Sequence, residues 1–433
     1  MSFLKVLGFD PAKHNVKTEI VAGITTFLTM AYILAVNPDI FSALEDMGMP
    51  KGAVFTATAL AAIVGTLVMS IYAKKPYALA PGLGLNAFFV YTVCLTMGYS
   101  WQFALTAVLI EGIIFIILTA TNVREAIINA IPKSMKSAVS AGIGLFIAFI
   151  GLVNAGIIVD DGGTIISLGT ITSGPALLAI VGLVITSVMM ILKVPGAMLI
   201  GIIVTAIIGI PFGITKFDGV VSAVPSVAPI FCKFEFHNIL TWDMIIVVFT
   251  FLFIDMFDTI GTVIGVSKKA NAMNPDGTIP GVKKVLMADA VATVWGAICG
   301  TSTTTTYVES ASGVAEGGRT GLTSFTVAIC FAIALFFAPV FLAIPSAATA
   351  PALILVGVMM MSSILDVDFN DFSECIPAYI CMIVMPLAYS ISDGIMLGMI
   401  SFVVLNALTG KFKKISVMMW ILAILFILRY ILL

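Results

Sequence analysis

Asp255, Asp258, Thr259 and Thr262 stand at i, i+3, i+4 and i+7 in the run Phe253-Ile254-Asp255-Met256-Phe257-Asp258-Thr259-Ile260-Gly261-Thr262, so a helix puts all four on one face. Two carboxylates a turn apart repel when both are charged and lose hydration when buried. Both effects favour a proton on at least one of them, which makes the pair a proton-exchanging group. Further on, the chain reads Gly300-Thr301-Ser302-Thr303-Thr304-Thr305-Thr306-Tyr307-Val308-Glu309. This run is β-branched, rich in hydroxyls, and ends on another carboxylate.

These polar groups sit in a very apolar chain. Hydrophobic residues make up 60% of 433 positions, charged residues 10%, and the mean hydropathy is +1.16. Repeated spans of about 20 apolar residues require such a composition, and a soluble core does not. Spans are predicted near 20–38, 53–72, 86–97, 102–120, 137–154, 175–192 and 196–212, and again near 244–266, 285–299, 308–316, 321–343, 350–362, 375–389 and 391–408. With a cytoplasmic N-terminus, Lys5, Lys13, Lys17, Lys74, Lys75, Arg124, Lys133, Lys136, Lys193, Lys268, Lys269, Lys283, Lys284, Arg319, Lys411, Lys413 and Lys414 fall inside. Only Lys51, Lys216 and Lys233 fall outside, with Arg429 unassigned. That bias is the positive-inside pattern, and inverting any one span spoils it. The expectation is a multi-pass protein of the plasma or inner membrane with fourteen crossings. A last apolar stretch, Ser416 to Leu433, either makes a fifteenth crossing or lies along the bilayer.

Extended chain at membrane depth survives only inside protein or beside a cavity, and an ionisable residue there marks function. The Thr-rich run therefore reads as the polar floor of a solute site. It precedes the short third span of the second set. The short third span of the first set is preceded by Ala80-Pro81-Gly82-Leu83-Gly84-Leu85-Asn86-Ala87-Phe88. Paired interrupted segments in two seven-span halves point to an inverted repeat with its site between half-helix N-termini. Glu111 and Asp289 also lie at membrane depth, where each either joins the site or caps an internal hydrogen-bond network. His14 and His237 fall in a tail and a loop. The six cysteines show no CxxC spacing and read as buried thiols rather than disulfides or metal ligands. With no HExxH, no GxSxG and no His near the acids, the chain is not expected to be an enzyme, and no metal or cofactor is expected.

At these residues the chain resembles the nucleobase–cation symporter-2 family, in its branch of guanine/hypoxanthine and adenine permeases. The resemblance runs through Ala22-Gly23-Ile24-Thr25-Thr26-Phe27-Leu28-Thr29-Met30-Ala31-Tyr32-Ile33, Val36-Asn37-Pro38 and the Ala80–Phe89 segment. It continues through Phe257-Asp258-Thr259-Ile260-Gly261-Thr262 and Thr306-Tyr307-Val308-Glu309-Ser310 with Gly313-Val314. Asp258 matches the family's carboxylate-x-Ile-Gly motif and Glu309 its Tyr-x-Glu motif. The stretch after Lys414 has no counterpart in the uracil permease pattern.

The resemblance implies an all-α membrane fold of fourteen spans in two inverted seven-span repeats, with short strands before half-helices 3 and 10. Its core domain would comprise residues 1–122 and 240–345, and its gate 123–215 and 346–433. It further implies proton-coupled import of a purine nucleobase through alternating access, with protons and the lipid bilayer as partners, assembly into a homodimer, and no nucleic acid.

Purine chemistry suits these residues. The Glu309 carboxylate accepts two parallel N–H bonds from guanine or one from hypoxanthine. Backbone amides at the half-helix starts, around Asn86, Ala87 and Val308, donate to the ring carbonyl. Phe88 and Phe257 are expected to stack on the ring. Asp258, with Asp255, is expected to carry the proton. Thr259, Thr262, Thr306, Gly82 and Gly84 support the site. Adenine- or xanthine-preferring transport is the nearest alternative. An inorganic anion transporter of the same architecture is less favoured, because Asp258 and Glu309 repel anions.

Overall fold

The structure, a computed structural model, describes residues 2–121, 131–217, 219–237, 239–270, 272 and 279–432, without the side chains of Ser2, Phe3, Phe257, Lys268, Lys269 and Leu432. Arg124 and the expected domain boundary at 122–123 fall outside the described residues.

Each predicted span has a helical counterpart. In the first half these are α1 (Val16–Met30) with α2 (Ile33–Phe41), α3 (Lys51–Val68), α4 (Leu83–Ala87), α5 (Trp101–Ala120), α6 (Lys133–Asn154), α7 (Gly174–Ile191) and α8 (Ala197–Gly209). In the second half they are α9 (Trp242–Lys269), α10 (Val282–Cys299), α11 (Ser310–Ala315), α12 (Gly321–Ala334), α13 (Ser346–Met361), α14 (Phe372–Leu387) and α15 (Ile391–Leu408). Among the described residues, nine helical stretches are long and apolar enough to cross a membrane on that basis alone. α11 is too short to do so, and the strand Thr304–Thr306 stands just before it. The first span also differs from its predicted form: it breaks at Ala31 and Tyr32 between α1 and α2.

The helices sort into two bundles. α10 packs on α3 and α5, α12 on α1 and α3, and α11 on α1, which gathers α1–α5 and α9–α12 together. A second bundle forms as α13 packs on α6 and α7, and α14 on α6 and α15. Small residues permit the closest of these approaches. A Cβ on Gly357 would stand 2.4 Å from the Gly144 carbonyl oxygen, so α6 and α13 touch backbone to backbone.

β1 (Leu79–Pro81) and β4 (Thr304–Thr306) form an antiparallel pair packed against helices of the first bundle, with Ala80 opposite Thr305. β2 (Ile158–Asp161) and β3 (Ile165–Leu168) form a separate hairpin outside the spans. Every residue of β1 and β4 is buried, so their backbone must be paired within protein. Beyond the ladder, the Leu79 amide donates to Thr66 Oγ1 at 2.9 Å, and the Gly82 amide to the Thr303 carbonyl at 3.0 Å. The Tyr307 amide donates to the Ala78 carbonyl at 2.9 Å. Pro81 offers no amide and sits at the end of its strand, where none is needed.

α16 (Val417–Leu432) runs against α15. Arg429 and Tyr430, near its end, both reach Asp393, near the start of α15, at 3.2 and 2.7 Å. Lys411 and Lys414, just before α16, hold Asp371 ahead of α14. The two helices are therefore antiparallel neighbours, and α16 does not lie flat across the ends of the bundle.

Candidate functional site

β1 leads into α4, which continues helically through Thr96, and β4 leads into α11. Beside their crossing lies a cavity of ≈ 390 Å³. The first bundle lines it with Tyr32, Gly82, Leu83, Gly84, Ile254, Asp258, Gly261, Thr262, Thr306, Tyr307, Val308 and Glu309. The second bundle closes it with Val139, Ser140 and Ile143 of α6, Val356, Met359 and Met360 of α13, and the following Ser362 and Ser363. That volume accommodates one small ligand.

Glu309 and Asp258 face this space from different elements. Glu309 sits at the turn into α11 and accepts a hydrogen bond from the Tyr32 hydroxyl on Oε1 at 2.7 Å. Its backbone carbonyl lies 3.5 Å from Thr29 Oγ1. Asp258 lines the same cavity, where a Cβ on Gly82 would come within 3.8 Å of its Oδ2. The same Cβ would press on Thr305 at 2.9 Å, so only glycine lets the half-helix start so close to both.

Asp255 shares the helix face of Asp258 but not its surroundings. It is fully buried and accepts from the Thr259 hydroxyl at 3.0 Å. Thr259 also lies 3.0 Å from Asp289 Oδ2 and 2.7 Å from Thr305 Oγ1. Asp289 Oδ1 takes the backbone amide of Thr306 at 3.0 Å and its hydroxyl at 3.2 Å. Glu111 accepts from Thr303 at 2.6 Å. Of the two roles open for Asp289 and Glu111, both take the internal one: they fasten the Thr-rich run to α10 and α5. Removing Asp289 orphans buried donors at about 1–3 kcal/mol each. Asp289→Ala is therefore expected to lower the melting temperature in detergent sharply, and Asp289→Asn, which keeps an acceptor oxygen, much less. Equal melting of the two variants would contradict this role.

Seven of the expected residues meet at the cavity: Glu309, Asp258, Val308, Thr262, Thr306, Gly82 and Gly84. Asn86, Ala87, Phe88, Asp255 and Thr259 do not line it. The Asn86 carbonyl oxygen takes the Ser302 hydroxyl, which ties α4 to the Thr-rich run. Phe88 is fully buried edge-to-face on Phe251, with ring centroids 4.8 Å apart, so it packs α4 against α9. The Phe257 side chain lies outside the described residues. Tyr32, Tyr307 and the wall from α6 and α13 were not anticipated. Tyr32 had one signal, its place in the run Ala22–Ile33.

Comparison with known proteins places the chain in a family. A family model described as "Permease family" matches residues 17–397. The chain belongs to that family, the nucleobase–cation symporter-2 permeases. The permease is 45% identical to the guanine/hypoxanthine permease PbuG of Bacillus subtilis, over 98% of each chain. It is 41% identical to the adenine permease AdeQ of Escherichia coli, over 96% of this chain and 94% of that one.

Among solved structures, the transmembrane domain of the cyanobacterial bicarbonate transporter BicA superposes with TM-score 0.65 at 16% identity, covering 89% of this chain and 97% of that one. The murine anion transporter Slc26a9 in its inward-facing state gives 0.67 at 12%, covering 94% and 70%. At such identities the likeness concerns fold alone: fourteen spans in two inverted seven-span repeats. The permease is a multi-pass membrane protein and not an enzyme.

Proposed function

We propose that this permease imports purine nucleobases, guanine or hypoxanthine foremost, by proton symport. The supporting observation is that Glu309 and Asp258, carried by different elements, both line one cavity of nucleobase size. Glu309 accepts ring N–H groups. The first amides of the helix Leu83–Thr96 have no intrahelical partner and, at a positive dipole end, suit a ring carbonyl. Asp258 carries the proton. Guanine/hypoxanthine permeases among the relatives support this substrate class. Two carboxylates in one cavity argue against an inorganic anion despite the shared fold.

The first bundle acts as the core, close to the expected residues 1–122 and 240–345, and the second as the gate, close to 123–215 and 346–433. Asp39 at the end of α2 accepts hydroxyls from Ser346 and Thr349 of α13 at 2.7 and 2.6 Å, which closes the two bundles on one side. The cavity reaches the opposite end of α13, near the first turns of α6. With the N-terminus in the cytoplasm, as the lysine bias favours, the closed side is external and the cavity faces inward.

The test is uptake of labelled hypoxanthine in cells lacking their own purine permeases, with guanine, adenine, xanthine, uracil and sulfate as competitors. Guanine is expected to compete best and a protonophore to abolish accumulation. Competition by sulfate with none by any purine would overturn the proposal.

A further inference from the structure

Tyr32 is the cavity residue whose chemistry the transport scheme leaves unused. It is placed there by the interruption of the first span: α1 ends at Met30 and α2 starts at Ile33, and the turn between them turns the phenol toward α11. The ring is almost wholly buried, yet it lines the cavity. Its hydroxyl donates to Glu309 Oε1 at 2.7 Å, so one oxygen of that carboxylate already carries a hydrogen bond from another element. Tyr307, the other phenol of the cavity, is committed elsewhere and donates to the Pro81 carbonyl at 2.6 Å.

A carboxylate grips two adjacent N–H donors best when both oxygens are at hand, as in a bidentate pair. Guanine offers such a pair, the ring N1–H and the exocyclic amine on C2. Hypoxanthine has the same ring without that amine and offers one donor on this edge. We propose that Tyr32 is a specificity-determining residue: its hydroxyl takes a lone pair of Glu309 Oε1 and competes with the base there, so the base meets one strong acceptor and one weakened one. The 2-amino group then gains little, and hypoxanthine is taken up about as well as guanine. This deepens the purine-import proposal and rests on it.

Two competition measurements against labelled hypoxanthine uptake test it. In the unaltered permease the inhibition constants of guanine and hypoxanthine are expected to lie within about threefold, well short of the roughly tenfold or more that a second charged hydrogen bond brings. In Tyr32→Phe the freed oxygen is expected to shift the guanine-to-hypoxanthine ratio about tenfold toward guanine. The ring is kept in that variant, so a change in packing alone would move both constants together and leave their ratio unchanged.

An unchanged ratio in Tyr32→Phe with intact uptake overturns the role of Tyr32 and leaves purine import standing. A tenfold guanine preference in the unaltered permease overturns it as well, and needs no variant to accumulate in the membrane. Failure of every purine to compete for uptake overturns the functional proposal and this one with it.

Discussion

Glu309→Gln is expected to weaken hypoxanthine uptake by about 10- to 150-fold in KM, the equivalent of one hydrogen bond to a charged partner. The substitution keeps the size of the side chain and the turn into α11, so the protein should reach the membrane in normal amount. What changes is the polarity of the edge presented to the base. The carboxylate has only acceptors there, whereas the amide carries two donors and one acceptor. Tyr32 already points its proton at this group at 2.7 Å, and it will turn the amide oxygen toward itself. The amide NH2 is then left facing the ring N–H, donor against donor. A site built to accept and left unpaired loses more than the bond itself. Initial-rate kinetics normalised to permease in the membrane would measure this. A KM within twofold of the unaltered value would remove Glu309 from the binding edge.

How far the site was legible depended on which features leave a mark on spacing. The acidic face of α9 was visible because carboxylates at i and i+3 are rare in an apolar helix, and Asp258 does reach the cavity. The Thr-rich run was visible because β-branched hydroxyl residues between apolar spans need partners, and Thr304–Thr306 do pair with β1. Spacing alone was silent on how the two acids divide. Asp255 is diverted by Thr259, which belongs to a network closed by Asp289 from another helix. Tertiary contacts also decide Asn86 and Phe88: Ser302 and Phe251, distant in sequence, draw both side chains away from the cavity. The wall from α6 and α13 was the least legible part. Val139, Ile143, Val356 and Met359 are ordinary apolar residues on ordinary apolar helices, and only the facing of α6 and α13 toward the strand crossing gives them a role. Tyr32 was obscured by the continuous apolar pattern of the first span, which hides the break at Ala31.

Asp258→Asn is expected to uncouple transport from the proton gradient while leaving the permease able to move its substrate. Asp258 lines the cavity, so its carboxylate is within reach of whatever water enters there. In the proposed cycle, as the loaded first bundle passes the wall formed by α6 and α13, that group must travel out of contact with solvent. An unpaired charge in such surroundings costs several kcal/mol or more, so the moving form is the neutral acid. Under the proposed symport the cycle then carries a proton with the base. Asparagine is neutral at every pH, so the variant core moves without one. Each pH unit of gradient is worth about 1.4 kcal/mol per proton, or tenfold accumulation of substrate. Unaltered cells should therefore concentrate hypoxanthine about tenfold per unit and lose this on addition of a protonophore. Cells carrying the variant should equilibrate the base to a ratio near one, with an initial rate flat across external pH. Continued concentrative uptake in Asp258→Asn would move the proton to another group, and Glu309 is then the remaining carboxylate that lines the same cavity.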